Sequence, residues 1–285
     1  MPVAIVSDTC HYLPRELVSS NEIHEVSLYV HLADGTERES EITDYGAFYE
    51  RLRTATDLPT TSQPSIGDFL AVYEPLLAEG NEIVSIHLAG GMSGTVGAAE
   101  QAREQLGRDA GRRVYVVDSA TACGGEGLVL LAAAAAARAG GDGAAVSDRA
   151  RRARAELKMW FAIDTLDYLR RGGRIGGAQA WLGSTLKIKP ILTVESQITP
   201  IERVRTSRRA FERLLDLLRE RARDGADAWM VQHIQAPSEA KELIARGRQI
   251  FDTDPVTFSE IGPVIGAHVG PGLLGVGAIP SSFLH

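Results

Sequence analysis

The sequence predicts an α/β protein with two domains, and two patterns along the chain lead to this fold class. In the first half, apolar β-branched runs alternate with helical segments, and each run ends in a turn of small or polar residues. Such alternation is typical of a parallel sheet with helices on its faces. In the second half, two apolar runs are separated by only two residues, which indicates a hairpin in a mixed or antiparallel sheet.

The first domain is predicted to cover residues 1–157. Its strands are expected at residues 3–7, 82–88 and 113–117, and its helices at 44–54, 65–77, 127–138 and 144–157. Ser65 is expected to be the N-cap of the second of these helices. The last helix is basic and amphipathic, and the domain is predicted to end with it.

The second domain is predicted to cover residues 158–285. A hairpin is expected from residues 186–194 and 197–204, with Glu195 and Ser196 at its turn. The elements expected after it are a helix at 206–222, a strand at 228–234, a helix at 238–247, a strand at 256–261 and a Gly-rich return at 267–279. This order favours a mixed sheet.

Composition and charge argue against several classes of function. The 285 residues include 30 Lys and Arg against 37 Asp and Glu, and the net charge of −7 argues against nucleic acid as the main partner. No stretch approaches the length of uninterrupted apolar sequence that a membrane span needs, so no transmembrane segment is expected. The start of the chain does not resemble a signal peptide. We therefore expect a cytoplasmic protein, and a monomer.

Cysteine and histidine positions give no indication of a metal site. Cys10 and Cys123 have no Cys or His neighbour at metal-ligand spacing. A cytosolic setting favours free thiols, although a disulfide between them stays open. His87, His233 and His268 are too dispersed to predict a metal site.

Four clusters of small and polar residues interrupt the apolar runs, at residues 60–65, 92–95, 172–175 and 268–272. The first two are predicted to lie at helix N-termini, where free backbone N–H groups and the helix dipole favour an anion. Additional donors would be the hydroxyl groups of Thr61, Ser62, Ser93 and Thr95. The pattern indicates a carboxylate or phosphate site, although each cluster taken alone is more often only a helix cap or a turn.

Common enzyme motifs do not occur in the sequence. No GxGxxG follows a strand, and the Gly-rich turn at Ser93 has neither the Lys of a P-loop nor the pattern of a nucleophile elbow. A triad of Ser93, His268 and either Asp8 or Asp118 stays open, because only the fold shows whether these side chains meet. A hydrolase that uses Ser93 and His268, or a phosphotransfer protein with His268 as acceptor, is therefore an alternative.

Several short motifs, taken together and in order, resemble the DegV family of bacterial fatty-acid-binding proteins. The motifs are Ser7-Asp8-Thr9, Thr61-Ser62-Gln63-Pro64, Ser93-Gly94-Thr95, Asp118-Ser119, Leu166-Asp167-Tyr168-Leu169-Arg170-Arg171-Gly172-Gly173-Arg174-Ile175, Ile188-Lys189-Pro190-Ile191, Val204-Arg205-Thr206 and Ile265-Gly266-Ala267-His268-Val269-Gly270-Pro271-Gly272. Each motif is weak alone, but the series extends over essentially the whole chain.

The resemblance implies a fold, a ligand and a partner. The fold is a three-layer α/β/α parallel-sheet domain followed by a two-layer α/β domain on a mixed sheet, with one long-chain fatty acid between them. The protein would present the carboxylate to a separate ATP-dependent fatty acid kinase, which makes an acyl phosphate for phospholipid synthesis. It would then be a carrier subunit without catalytic machinery of its own, and it would need no cofactor.

The resemblance also implies roles for individual residues. Thr61, Ser93 and His268 are expected to hydrogen-bond the fatty acid carboxylate, with Ser62 and the Gly94 N–H group in support. The acyl tail needs an apolar channel, and the candidates for its wall, each of which is more often plain core, are Ile86, Leu88, Phe161, Ile163, Leu166, Ile191 and Val264. The kinase is expected to dock on the locally basic stretch that contains Arg170, Arg174 and Arg205, for which a solvated basic surface is an equal alternative.

The sequence departs from the family pattern at three places. Cys10 and Val96 replace a hydroxyl residue and an aromatic residue, and the segment Leu88-Ala89-Gly90-Gly91-Met92, with its Gly-Gly stretch, replaces a Ser-containing run. The last change could reshape the cavity entrance, which leaves the acyl-chain preference open. A binding module for another amphiphilic carboxylate, without a kinase partner, is a further alternative.

Overall fold

The computed structural model describes residues 1–182 and 188–285. The strands in these ranges are β1 (Val3–Asp8), β2 (Ile23–Val26), β3 (Tyr29–Leu32), β4 (Gly35–Arg38), β5 (Thr60–Ser62), β6 (Glu82–His87), β7 (Val114–Asp118), β8 (Lys158–Ala162), β9 (Lys189–Glu195), β10 (Gln197–Val204), β11 (Ala228–His233), β12 (Thr257–Glu260) and β13 (Leu274–Ile279). The helices are α1 (Arg15–Ser20), α2 (Tyr45–Thr54), α3 (Ile66–Ala78), α4 (Thr95–Gln105), α5 (Gly107–Gly111), α6 (Cys123–Arg138), α7 (Gly143–Glu156), α8 (Asp167–Arg171), α9 (Ser207–Arg223), α10 (Pro237–Phe251) and α11 (Pro263–Val269).

The first half folds around a four-stranded parallel sheet in the order β2-β1-β6-β7. β6 is buried at every residue, as expected for a strand that is covered on both faces. Helices α3 and α4 pack together on one face, and α6 and α7 pack together on the other. This arrangement confirms the predicted three-layer parallel-sheet unit.

The second half folds around a six-stranded sheet in the order β10-β9-β8-β13-β11-β12. In the described part of this sheet the β11–β12 pair is parallel and the other pairs are antiparallel, so the predicted mixed sheet is confirmed. The β9–β10 hairpin turns at Ser196, which adopts a φ of +63°. The expected first strand of this hairpin began at residue 186, and that start lies outside the described residues. Helices α9 and α10 cover one face of the sheet.

A third sheet, in the order β4-β3-β5, is absent from the expectations based on sequence. It contains Thr61 and Ser62, which were predicted at a helix N-terminus but lie on the edge strand β5, opposite β3. The helix α3 begins only after Pro64, and the residue before a proline is pushed towards the extended conformation. Ser65 caps α3 with a full capping box, as predicted.

The apolar face of the mixed sheet lies against helix α6 of the first half. α6 begins at Cys123, four residues earlier than expected, because Gly124 and Gly125 allow its first turn to approach the sheet closely. A Cβ atom at Gly124 would lie 2.6 Å from Met230 Sδ, and one at Gly125 would lie 2.6 Å from Met159 Sδ. One cluster of buried apolar side chains therefore includes residues of both halves. The predicted boundary at residue 157 falls between α7 and β8, and it stays a prediction.

Polar contacts between the two halves surround the β9–β10 turn. The Ser196 N–H group donates to the Ala120 carbonyl oxygen at 2.9 Å. The Arg154 Nη2 atom donates to the carbonyl oxygens of Ala120 at 3.0 Å and Val194 at 3.1 Å. Gly91 packs on the same turn, where a Cβ atom would lie 2.4 Å from the Ser196 carbonyl oxygen. The Gly90-Gly91 segment thus allows the hairpin to contact the first half closely.

Replacing Gly91 with alanine should weaken this contact. Since the new methyl group would overlap backbone atoms of Ser196, the Gly91→Ala variant is expected to lower the free energy of unfolding by about 1–3 kcal/mol, as overpacking typically does. The matched control is Gly97→Ala in α4, where a Cβ atom meets nothing within 4 Å. In that control the free energy of unfolding should rise by about 0.5–1 kcal/mol, because alanine is the better helix former. Urea unfolding measures the stability of both variants, and equal unfolding midpoints would contradict the proposed contact.

Candidate ligand-binding site

A cavity lies between the parallel-sheet half and the mixed sheet, and the atom-free space inside it and at its mouth amounts to about 870 Å³. One group of lining residues is polar: Thr61, Ser62, Gln63, Ser93, Arg174 and His268. Most other lining residues are apolar and come from both halves: Leu28, Leu88, Met92, Ala122, Cys123, Met159, Phe161, Leu169, Val194, Ile198, Met230, Ile261, Val264, Ile265, Val269, Leu273 and Gly275.

Thr61 and His268 meet in the polar part of the cavity. The Thr61 Oγ1 and His268 Nε2 atoms are 2.8 Å apart and hydrogen-bonded. Thr61 lies on the edge strand β5, whereas His268 lies in the last turn of α11. Residues 267–279 were expected to be a Gly-rich return, and their first part is helical instead. The signal that was missed is Pro263 at the first helical position, which favours helix initiation.

Ser93 and Gly94 lie at the N-terminus of α4, as predicted. Gly94 is the N-cap residue and carries no side chain that could cap the helix. The Ser93 Oγ atom is 2.9 Å from Thr95 Oγ1. A Cβ atom at Gly94 would lie 3.2 Å from the Gln63 side chain, so this turn packs closely on the segment after β5. The start of α4, with its free N–H groups, therefore lies beside the segment after β5.

Ser62 lines the cavity, but its hydroxyl group already has a partner. Its Oγ atom is 2.9 Å from His31 Nε2, and the other ring nitrogen of His31 is 2.8 Å from Thr36 Oγ1. These bonds lie within the three-stranded sheet and hold β5 against β3. Ser62 is thus placed to support the position of Thr61.

The imidazole ring of His268 is held in its neutral form. Burial, and secondly the positive charge of Arg174, lower the pKa of His268 to about 4. The Nδ1 atom is buried and has no hydrogen-bond partner among residues 1–182 and 188–285. A Cβ atom at Gly172 would lie only 2.4 Å from Nδ1, so a side chain there would displace the ring.

The three arginines expected to bind a partner do not lie in equivalent places. Arg174 lines the cavity and donates to the carbonyl oxygens of Gly172 at 2.8 Å and Met92 at 3.3 Å. Arg170 is half-exposed, 3.6 Å from Asp167, and does not line the cavity. Arg205 is also exposed and outside the cavity lining. Arg174 can therefore contact a bound ligand directly, whereas Arg170 and Arg205 face solvent.

The hydroxyl, imidazole and carboxylate groups do not form the catalytic triad that the sequence left open. The Ser93 hydroxyl group is paired with Thr95, and His268 is paired with Thr61. Asp8 instead accepts from the Leu88 N–H group at 3.0 Å and is 3.2 Å from His87 Nδ1. This geometry argues against a hydrolase that uses Ser93 and His268.

A triad-like set does exist in the interior of the parallel-sheet half. Asp8 contacts His87, and His87 Nε2 is 2.7 Å from Ser85 Oγ, which accepts from the Tyr73 hydroxyl group at 2.6 Å. All four side chains are fully buried, so a substrate has no access to the Ser85 hydroxyl group. We interpret the set as a satisfied core network.

The apolar wall of the cavity was only partly anticipated. Leu88, Phe161 and Val264 line it as expected. The other expected tail contacts are buried outside the lining: Ile86, Ile163, Leu166 and Ile191. Ile191 lies in the separate cluster beneath α9 and α10, because alternate residues of a strand face opposite sides of a sheet.

Cys123 and Gln232 are among the lining residues that the sequence did not assign to the site. The sequence offered one signal, a glutamine inside the apolar run of β11, since a buried polar side chain needs partners. Gln232 accepts from the Gly124 N–H group and donates to the carbonyl oxygen of His11 at 3.3 Å. Gln232 thus links the two halves at the cavity wall.

Other chemical possibilities are limited in the described ranges. Cys10 and Cys123 are both free, and burial raises the pKa of each thiol well above its ordinary value. Among residues 1–182 and 188–285, no group of His, Cys, Asp and Glu side chains is arranged to hold a metal ion. Within the same ranges, no helix has the length and apolar character of a membrane span.

Comparison with known proteins assigns the family. The model of the DegV family, described as "Uncharacterised protein, DegV family", matches residues 2–281. The chain belongs to the DegV family. A DegV domain-containing protein of Streptomyces coelicolor is 39% identical over 277 residues, which cover 96% of this chain and 97% of that protein.

Solved DegV structures share the fold over nearly the whole length. A structure described as fatty acid binding of a DegV family protein from Thermus thermophilus superposes with a TM-score of 0.86 at 34% identity, covering 98% of this chain and 100% of that one. The structure of DegV from Bacillus subtilis, described as a fatty acid binding protein, also gives a TM-score of 0.86 at 34% identity, covering 98% and 99% of the two chains. The resemblance stated from the motifs is therefore confirmed.

Titration of His268 tests the electrostatics of the site. Because burial and Arg174 both disfavour the charged ring, its Cε1–H resonance should titrate with a midpoint of about 4, compared with about 6.5 for an ordinary histidine. Because the unfolded chain binds this proton at a higher pH than the folded protein does, the ring contributes to the free energy of unfolding. That contribution is fully present above pH ~6.5 and is lost as the pH falls towards 4. In Arg174→Ala the midpoint should rise but stay below the ordinary value, since burial remains. A wild-type midpoint at or above the ordinary value would contradict this account.

Proposed function

We propose that this protein binds one long-chain fatty acid in the cavity between its two halves. The observation that carries the proposal is a largely apolar cavity in which Thr61, Ser93 and His268 form one polar region beside Arg174. The fatty acid binding described for the similar Thermus thermophilus and Bacillus subtilis proteins supports it. The role needs no cofactor and no catalytic group, and we place the protein in the cytoplasm as a monomer.

The carboxylate is proposed to bind Thr61, Ser93 and the Gly94 N–H group. His268 Nδ1 lacks an acceptor among the described residues, so we assign the ring proton to Nε2, because a buried donor without an acceptor is costly. The ring then donates to Thr61 Oγ1, and the Thr61 hydroxyl hydrogen is free to point at the carboxylate. In this arrangement His268 orients Thr61, while Ser62 holds β5 in place.

The acyl chain is proposed to occupy the apolar part of the cavity. A sixteen-carbon acid has about 14 methylene groups, which at ~0.8 kcal/mol each contribute roughly 11 kcal/mol of gross burial free energy. Association and ordering costs remove a large part of this. The remaining free energy still permits tight binding. The carboxylate contacts would then set the orientation of the ligand, because a buried carboxylate without partners is strongly unfavourable.

Presentation of the carboxylate to an ATP-dependent fatty acid kinase is the second part of the proposal. Residues 1–157 would supply Thr61, Ser93 and Gly94, and residues 158–285 would cover the acyl chain and contribute His268. The exposed Arg170 and Arg205 provide a basic surface that a kinase with acidic residues could recognise. The kinase would form the acyl phosphate that enters phospholipid synthesis.

Native mass spectrometry of freshly purified protein tests the ligand. We expect a stoichiometric adduct that extracts as a long-chain fatty acid, because the apolar cavity would retain it through purification. Stripped protein should take up added palmitate or oleate. Absence of an adduct together with no uptake would rule out the carrier function.

Variants of the polar region test the carboxylate contacts. Thr61→Val and Ser93→Ala each remove a hydroxyl donor to a charged group, so each should weaken fatty acid binding by roughly 10- to 100-fold. Ser20→Ala, an exposed hydroxyl deletion in α1, is the control and should bind as the wild type does. Isothermal calorimetry measures the three affinities, and wild-type affinity in Ser93→Ala would remove Ser93 from the site.

Charge reversal separates docking from binding. Arg170 faces solvent outside the cavity, so Arg170→Glu should slow acyl phosphate formation by the kinase, on the order of tenfold, with fatty acid affinity unchanged. Arg174→Glu should impair both, because Arg174 lines the cavity. Arg209→Glu on α9, beyond the opposite face of the mixed sheet, is the control. Equal loss of binding and turnover in Arg170→Glu would place Arg170 in the site or the fold instead.

A further inference from the structure

Glu39 is a buried carboxylate that belongs to none of the sequence motifs. It follows β4 on a short 3₁₀ turn, Glu39–Glu41, and its side chain is only 2% exposed. Among residues 1–182 and 188–285 it has no cationic partner within 4.0 Å. A carboxylate in such a place needs hydrogen-bond donors to compensate for the loss of water.

Glu39 obtains these donors from both halves of the protein. The Thr9 hydroxyl group donates to Oε2 at 2.5 Å, and the Tyr12 hydroxyl group donates to Oε1 at 2.7 Å. The Val264 N–H group donates to Oε1 at 2.8 Å. The pKa of Glu39 is raised to about 7, because the effect of burial outweighs the lowering effect of these three donors. The first two partners belong to the parallel-sheet half, and Val264 belongs to the first turn of α11.

The first turn of α11 depends on this carboxylate for capping. The N-cap residue, Gly262, has no side chain that could accept from the free N–H groups. Glu39 accepts from Val264, and the Tyr12 hydroxyl oxygen accepts from the Ile265 N–H group at 3.2 Å. Two first-turn donors are thus satisfied by residues that are more than 220 positions away in sequence.

The same helix carries His268 to the cavity. His268 follows Val264 by four residues, which is about 6 Å along a helix. Both residues line the cavity, and α11 has only seven residues, so the position of its first turn determines where the imidazole ring lies. Tyr49 adds a second attachment, since its hydroxyl group donates to the Ile261 carbonyl oxygen at 2.7 Å.

We propose that Glu39 is a positioning residue for the fatty acid site: its buried carboxylate fixes the first turn of α11 and thereby holds His268 against Thr61. The inference rests on the proposed fatty acid binding, because it assigns a task within that site. Glu39 does not line the cavity, so it would act on the site only through α11.

The test compares Glu39→Ala, Glu39→Gln and Glu41→Ala. Glu39→Ala removes the acceptor, and fatty acid binding should weaken by about five- to thirtyfold, the size expected for loss of a helix cap. Glu39→Gln keeps a carbonyl acceptor for the Val264 N–H group, so it should restore affinity to within about threefold. Glu41→Ala changes the exposed acid on the same turn and should bind as the wild type does.

Two measurements on ligand-free protein keep the inference testable on its own. In Glu39→Ala, amide hydrogen exchange at Val264 and Ile265 should accelerate about tenfold or more, and the titration midpoint of His268 should rise from about 4 as the ring becomes less buried. Unchanged exchange and an unchanged midpoint in a folded Glu39→Ala protein would overturn the positioning role. Wild-type affinity in Glu39→Ala would overturn it as well.

The same set of experiments separates this inference from the proposed function. If the wild-type protein takes up no fatty acid, the proposed function fails, and the exchange and titration data still decide whether Glu39 positions His268. If Glu39→Ala does not fold, Glu39→Gln and Tyr12→Phe serve instead. Tyr12→Phe removes the hydroxyl group that donates to Glu39 Oε1 and accepts from the Ile265 N–H group. Exchange at both Val264 and Ile265 should therefore accelerate and the His268 midpoint should rise, while Glu39→Gln stays close to the wild type. Unchanged exchange at Val264 and an unchanged His268 midpoint in Tyr12→Phe would overturn the inference.

Discussion

The hydrogen bond between Thr61 and His268 is the constraint on which the candidate site depends. It joins an edge strand of the first half to the last turn of a helix in the second half, across 207 positions of sequence. Neither side chain is held by its own segment alone. Thr61 is placed by the pairing of β5 with β3, and His268 is placed by the attachment of α11 to Glu39 and Tyr49. The polar region of the cavity therefore exists only in the fully assembled fold.

The cavity wall is also the contact surface between the two halves. Helix α6 approaches the mixed sheet through Gly124 and Gly125, and the methionines that these glycines accommodate line the cavity. In the same wall, the side-chain amide of Gln232 forms hydrogen bonds with backbone groups of Gly124 and His11 in the first half. A change that alters the packing of the halves must for this reason alter the shape of the cavity. The packing of the two halves and the shape of the cavity are thus coupled by geometry.

Short-range sequence patterns correctly predicted those site residues whose position depends on their own segment. Ser93 and Gly94 were placed correctly at a helix N-terminus, because a small-residue turn after a buried strand is a short-range pattern. Thr61 was placed at a helix N-terminus and lies on a strand, since a three-residue edge strand has too little periodicity to be seen. The helix that carries His268 was missed because Gly266 within it and Gly270 and Gly272 after it give the segment the composition of a loop. Arg174 was grouped with Arg170, although only one of them lines the cavity.

The sequence by itself determined the fold class, the parallel sheet of the first half and the hairpin of the second. These features depend on alternating apolar runs and helix caps, which are patterns of a few neighbouring residues and can be recognised in the sequence. The order of motifs along the chain was also sufficient to identify the family. Only the tertiary structure decided which polar groups meet: Thr61 with His268, Asp8 with His87, and Glu39 with the first turn of α11. The physical reason is that these pairs form where separate apolar surfaces are buried against each other, and burial between distant segments has no periodic signature in the sequence.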